Sequence, residues 1–103
     1  MKEENVYLGV FQARLEMPWV HSLKEKRSLV KPVVERLKIR FSVSAARLGG
    51  LDEHAWETIG VSVISSDRVG LETLLRRIED FVAAQGEYRV AESRTEIELW
   101  EGL

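Results

Sequence analysis

The sequence predicts an α+β fold with the element order βαββαβ. Two segments carry apolar residues at helical spacing, and four shorter segments are rich in β-branched and aromatic residues. Two of these strands lie between the helices and are joined by a glycine-containing turn. This is the order of the ferredoxin-like fold, in which a four-stranded antiparallel sheet carries both helices on one face. The 103 residues contain no repeat and no linker, so we expect a single domain over 1–103.

The first strand and the first helix are defined by their boundary residues. Residues 6–17 are β-rich and apolar and end at Pro18, which cannot donate a hydrogen bond to a neighbouring strand. A helix is expected over 22–41, because Ser22 is a favourable N-cap and Glu25, three residues later, completes a capping box. The apolar stripe of this helix is expected to contain Leu23, Val30, Val34, Leu37 and Phe41.

The middle of the chain predicts a β-hairpin. Residues 42–48 are expected to form a short second strand, and 55–65 a third strand. The turn over 49–53 begins with two glycines, which readily adopt turn conformations. Apolar residues alternate along the third strand, so one of its faces is expected to be buried.

A second helix and a last strand complete the order. The helix is expected to begin at Ser66 or Asp67, either of which is a good N-cap, and to stop at Gly86. The strand is expected over 87–100. Its apolar residues change from even to odd positions partway, which predicts either a β-bulge within 91–95 or a mobile tail.

The composition excludes several classes of protein. The chain has no cysteine, so disulfides, thiolate nucleophiles and thiolate metal sites are absent. No apolar run is long enough to cross a bilayer, and the start Met1-Lys2-Glu3-Glu4 is unlike a secretory or transit segment, so we expect a cytoplasmic protein. No nucleophile-elbow, phosphate-loop or zinc spacing occurs, so we expect neither an enzyme nor a cofactor.

The charges are distributed unevenly along the chain. Residues 21–47 contain eight basic and two acidic residues, a net charge of +6. The remainder contains seven basic and fifteen acidic residues, a net charge of −8. The basic segment is suited to phosphate, which the rest of the molecule repels. The alternative is that helix and sheet neutralise each other through salt bridges.

The start of the first helix carries cations where they are least favourable. Its free N–H groups already sum to a partial positive charge, so each basic residue there costs roughly a few tenths of a kcal/mol. This arrangement suggests an anionic ligand. The fold brings the end of the first strand, the helix start and the hairpin turn to one pole, where cations can hold phosphates and rings can stack on bases. The candidate nucleic-acid or anion-binding residues are Trp19, His21, Lys24, Lys26, Arg27 and Lys31.

Each of these candidates has a purely structural alternative. Trp19 can form a hydrophobic staple over the helix start, and Lys31 can pair with Glu35 one turn later. Lys26 falls within the apolar arc, so its stem must run along the apolar surface toward the end of the sheet. The chain has only two histidines and no third protein ligand for them, so no metal site is expected.

Several short segments, spread over nearly the whole chain, match one family. They are Ser22-Leu23-Lys24-Glu25-Lys26-Arg27, Arg40-Phe41-Ser42-Val43-Ser44, Ala46, Trp56, Gly60-Val61 and Ser66-Asp67-Arg68. Together they resemble the YlxP-like bacterial family, domain of unknown function 503. The resemblance implies a ferredoxin-like fold in a cytoplasmic bacterial protein, and it implies no enzyme. The genes of this family tend to neighbour translation-factor and ribosome-maturation genes. Members commonly have an acidic residue after the alanine of the second strand, where this chain has Arg47.

The functional hypothesis is an accessory module for ribosomal RNA or the small ribosomal subunit. A second hypothesis is a self-associating protein, because strand one is apolar on both sides and helices cover only one face of the sheet. The expected homo-oligomer, a dimer, forms through the open sheet face. A third hypothesis is a regulatory domain that binds a small ligand at a subunit interface.

Overall fold

The structure is a computed structural model that describes residues 4–103. The first three residues of the acidic amino terminus lie outside the described residues. The elements are β1 (Asn5–Glu16), α1 (Leu23–Phe41), β2 (Ser44–Gly49), β3 (Trp56–Ser65), α2 (Arg68–Ala83) and β4 (Arg89–Glu101).

The four strands form one antiparallel sheet with the order β2-β3-β1-β4. β1 therefore lies inside the sheet, hydrogen-bonded to β3 on one side and to β4 on the other. α1 packs mainly on β2, and α2 packs on β1 and β4. Both helices share one buried cluster with the same face of the sheet. The predicted ferredoxin-like α+β fold is confirmed.

The hydrophobic core lies between this sheet face and the two helices. Side chains alternate along a strand, so the odd-numbered residues of β1 and β3 face the helices. Buried core residues include Phe11, Ala13, Leu15, Ile59 and Val61 from the sheet, and Val30, Leu37, Leu71, Leu75, Ile78 and Val82 from the helices. The even-numbered residues of β1 and β3 point to the opposite side, which we call the open face. Leu23, expected on the buried stripe, is instead 43% exposed.

The helix boundaries follow from their capping residues. Ser22 Oγ accepts a hydrogen bond from the Glu25 N–H at 3.1 Å, which confirms the predicted N-cap. The Glu25 carboxylate reaches one residue further back than expected, to the N–H of His21 at 2.8 Å. α1 ends where Ser42 adopts a left-handed conformation with φ 54°, so β2 begins two residues later than predicted. Asp67 caps α2. Neither helix within residues 4–103 is long and apolar enough to cross a membrane.

A β-bulge in β4 explains the change of apolar phase. Leu15 pairs with Val90 and Arg14 with Glu92, so Ala91 is the extra residue. Val90 before the bulge and Ile97 after it therefore face the helices, although one number is even and the other odd. The predicted bulge is confirmed, and β4 continues as a paired strand to Glu101 rather than as a mobile tail.

Candidate anion-binding surface

Three of the predicted anion-binding residues lie exposed along the first half of α1. Lys24, Arg27 and Lys31 follow at spacings of three and four residues, so they share one flank of the helix. Among the described residues, the side chain of none of the three forms a hydrogen bond, an ion pair or a ring contact. Glu35, which local spacing pairs with Lys31, instead bonds Lys38 at 3.5 Å. Within residues 4–103 these three cations therefore face solvent without a carboxylate partner.

Lys26 does not belong to this surface, and its prediction as an anion-binding residue is wrong. Its side chain is 0% exposed. The Nζ donates to the backbone oxygens of Gly50 at 2.7 Å, of Trp56 at 3.2 Å and of Glu53. Oε1 of Glu57, also fully buried, lies 3.0 Å from the same Nζ. Because protein oxygens surround the ammonium group, Lys26 ties the start of α1 to the β2–β3 turn and cannot reach an anion outside.

The Glu57 carboxylate is shared between Lys26 and Arg47. Arg47 Nε lies 2.5 Å from Oε2, and Arg47 Nη2 lies 2.8 Å from Oε1, so the guanidinium binds the carboxylate in a two-pronged manner. These hydrogen bonds raise the pKa of Arg47 above its ordinary value. Two cations share one carboxylate, which leaves a net charge of +1 on the three groups. Arg47 is the only one of the three with exposed side-chain surface, 24%.

A groove of about 350 Å³ runs between α1 and β2. Its charged lining consists of four basic side chains and one acidic one, a net charge of +3. Ala45 and Ala46 of β2 lie in the lining, and their small side chains leave the space open. We call this space the α1–β2 groove. It is lined by Arg27, Lys31, Val34, Glu35, Lys38, Ala45, Ala46 and Arg47.

The remaining two candidates lie just before α1. Trp19 is 53% exposed, so its ring is accessible at the same end of the molecule as Lys24. His21 is exposed and contributes its backbone N–H to the helix cap. His54, in the β2–β3 turn, contacts the Val20 carbonyl oxygen through Nδ1 at 3.1 Å. Within residues 4–103 no group of three or more His, Cys, Asp or Glu side chains could hold a metal ion.

The structure adds Arg47 and Lys38 to the basic surface. Neither residue is among the six candidates taken from the sequence, where Arg47 appeared only as a departure from the family pattern. The sequence does contain an indication of its position: Ala45 is buried, and two residues later Arg47 falls on the same helix-covered side of β2. The cationic surface therefore extends from one helix flank to the facing edge strand.

The comparison with known families decides which family the chain represents. The sequence model described as "Protein of unknown function (DUF503)" matches residues 8–95. The chain belongs to this family. The matched range contains all six candidate residues, the α1–β2 groove and the buried Lys26–Glu57 pair. The predicted membership is confirmed.

One bacterial relative agrees with this membership, and one solved structure shares the fold. The Uncharacterized protein YlxP of Bacillus subtilis (strain 168) is 35% identical over 75 residues, which cover 73% of this chain and 82% of that protein. A solved structure, the De novo designed protein Foldit4, has a TM-score of 0.50 and 18% identity, covering 97% of this chain and 100% of its own. At that identity the similarity concerns the fold alone.

Proposed function

We propose that this DUF503 protein is a non-enzymatic, cytoplasmic accessory module that binds ribosomal RNA or the small ribosomal subunit. The observation that carries the proposal is the row of exposed cations Lys24, Arg27 and Lys31, which meet no carboxylate within residues 4–103. An RNA backbone offers negative charges along a line, and cationic grooves that track such a backbone are typical of proteins that bind single strands.

The distribution of charge over the molecule favours the approach of a polyanion to α1. Residues 21–47 carry a net charge of +6 and the remainder −8, so the field of the protein attracts a polyanion to α1 and repels it elsewhere. The exposed ring of Trp19 lies at the helix start, where it can stack on a base. Charge and ring together fit an RNA ligand.

Replacing Lys24, Arg27 and Lys31 together by Ala tests this proposal. Each phosphate contact contributes about 0.7 to 0.9 to the slope of log affinity against log salt, so the triple variant is expected to lose about 2 to 3 units of slope. The melting temperature is expected to stay or rise slightly, because cations near a helix N-terminus cost roughly a few tenths of a kcal/mol each. Filter binding of purified ribosomal RNA across a salt series measures the first effect, and thermal melting measures the second.

A matched control removes three positive charges from α2 instead. Arg68, Arg76 and Arg77 are exposed on that helix, and their joint replacement by Ala changes the net charge equally. We expect this control to retain RNA nearly as the wild-type protein does. If both triple variants retain RNA equally well, the row on α1 is not a binding surface and the proposal fails.

A second proposal, compatible with the first, is self-association through the open face. The side chain of Val10 is 48% exposed there, that of Ile64 66% and that of Trp100 62%. Ile64 lies across from Leu8 in the strand pairing, so these apolar residues form a patch. Antiparallel sheets that face water usually carry polar residues on that side. A second copy covering the patch removes this apolar surface from water and leaves the α1–β2 groove free.

Sedimentation of the wild-type protein at micromolar concentration tests the second proposal. We expect a dimer, and we expect Ile64→Lys to shift it toward monomer because the new charge would be buried at the interface. Val69→Lys is the matched control, since Val69 is 71% exposed on α2, away from the open face. A wild-type protein that sediments strictly as a monomer contradicts the proposal.

A further inference from the structure

We infer that the α1–β2 groove seats one phosphodiester of an RNA strand and that Arg47 is the residue that orients it. This assignment rests on the proposed function. It adds to that function the position of one phosphate and a donor on β2, the strand that faces α1.

Arg47 is a donor whose direction is fixed. A guanidinium has five N–H bonds in a rigid fork. Two of them go to the Glu57 carboxylate, through Nε and Nη2. Glu57 is fully buried and is itself bound to Lys26, so it cannot follow a moving arginine. The three remaining N–H bonds meet no other acceptor within residues 4–103, and Arg47 lines the groove.

On the opposite side of the groove, α1 supplies positive side chains that no described residue holds in place. Arg27 and Lys31 line the groove from α1, and among the described residues neither has a partner. Glu35 is the acidic residue of the lining, and Lys38 holds it at 3.5 Å. The space of about 350 Å³ is many times the roughly 10 to 15 Å³ that one water requires, so the groove has room for a group of the size of a phosphodiester.

The cations form a line, which favours a polynucleotide over an isolated anion. Lys24 and Lys38 are separated by about 21 Å along the helix axis at 1.5 Å per residue. Arg27 and Lys31 lie between them, and Arg47 faces the line from β2. A strand with a charge at every nucleotide engages several of these groups at once. The exposed Trp19 ring, near the Lys24 end, suits a base rather than an acidic protein side chain.

Arg47→Lys tests the orienting role without removing charge. A lysine at this position can still pair with Glu57, but it offers no further fixed donors to the groove. We expect the affinity for ribosomal RNA to fall about tenfold and the salt slope to fall by no more than about 0.7 to 0.9, the amount of one phosphate contact. Arg76→Lys, on α2, is the matched control and is expected to bind normally. Thermal melting confirms that both variants are folded.

The outcomes separate this inference from the proposed function. If Arg47→Lys binds as the wild type does while the α1 triple variant is weakened, Arg47 does not orient a phosphate and only the inference is wrong. If the triple variant also binds as the wild type does, the proposed function fails together with it. A salt slope for Arg47→Lys that falls by clearly more than one phosphate contact accounts for also overturns the inference, because it indicates a change beyond Arg47.

A measurement on the wild-type protein removes any dependence on the variant's folding. Because Glu57 fixes the Arg47 side chain, the Nε–H of Arg47 gives a usable nuclear magnetic resonance signal. We expect an oligouridylate to change the chemical shift of this signal. An oligonucleotide with a neutral methylphosphonate backbone is expected to leave it unchanged. A missing shift overturns the inference. If inorganic phosphate shifts the signal as much as oligouridylate does, the ligand is a free anion. If polyglutamate shifts it more than oligouridylate does, the partner is an acidic protein. Either result also overturns the inference.

Discussion

Replacing Lys26 by Met should destabilise the fold more than any other single change in the first turns of α1. Methionine keeps an unbranched stem, so the main loss is the ammonium group. The fully buried Glu57 loses a cation at 3.0 Å, and the carbonyl oxygens of Gly50 and Trp56 lose a donor at 2.7 and 3.2 Å. Removing one partner of a buried ion pair costs about 3 to 5 kcal/mol when the other charge is left uncompensated; because Arg47 still binds Glu57, we expect the lower end, about 3 kcal/mol. Since 1 kcal/mol corresponds to about 4 to 8 °C in a domain of this size, the melting temperature should fall by at least about 12 °C.

Urea unfolding followed by circular dichroism measures this loss, with thermal melting as a second measurement. Lys24→Met is the matched control, because Lys24 lies two residues earlier, is exposed and has no partner within residues 4–103. Its effect should stay within about 0.5 kcal/mol. A Lys26→Met variant that loses less than about 1 kcal/mol would refute the view that the Lys26–Glu57 pair holds α1 to the β2–β3 turn.

Three further predictions concern the pH dependence and the backbone. Hydrogen bonds from Arg89 and then Arg14 lower the pKa of Glu16 from its ordinary 4.5. The stabilisation of the folded state by ionised Glu16 is therefore complete above pH 4.5 and is lost as the pH falls through the lowered pKa. The melting temperatures of the wild type and Glu16→Gln should converge on acidification, and melting temperatures that stay equally far apart contradict this. Burial raises the pKa of Tyr88 above its ordinary 10.0, so stability should decline as pH rises beyond 10, and Tyr88→Phe should lack the part of that decline due to this phenol. Gly50→Ala should cost more than Gly86→Ala in urea unfolding: both have positive φ, +71° and +82°, but only at Gly50 does an added Cβ fall 2.6 Å from the Trp56 ring. Equal costs would mean that the positive φ alone, and not the contact with the Trp56 ring, determines the loss of stability.

The fold could be predicted because its determinants are local. Ser22 caps α1 through a residue three positions away, and Asp67 caps α2 in the same way. The bulge was visible as a change of parity within β4, because alternation along a strand has a period of two. Boundaries shifted by one or two residues where a single backbone conformation intervened, as Ser42 does between α1 and β2.

The site could be predicted only in part, because its decisive contacts are distant in sequence. Lys26 lies on the apolar arc of α1, and a helical wheel alone does not show what it meets. Its backbone acceptors come 24, 27 and 30 residues later. One indication was available: Glu57 falls in the same phase of β3 as the buried Ile59 and Val61, so a buried carboxylate required a buried cation. Lys24, Arg27 and Lys31 were identified correctly as exposed, and their binding role stays a prediction.

The extra residue in β4 makes the chemistry of the sheet edge sensitive to chain length. Deleting Ala91 would leave Val90 paired with Leu15 and Glu92 with Arg14, so the bulge would become a regular ladder and every later side chain would keep its side. Deleting one residue between Glu92 and Ile97 with the bulge retained would instead turn Glu96 and Glu98 toward α2 and Ile97 away from the core. Homologous chains that share the bulge are therefore expected to keep the spacing between Tyr88 and Ile97, and a chain one residue shorter there is expected to lack the bulge. With the bulge retained, a change of length there would have to be a whole number of residue pairs.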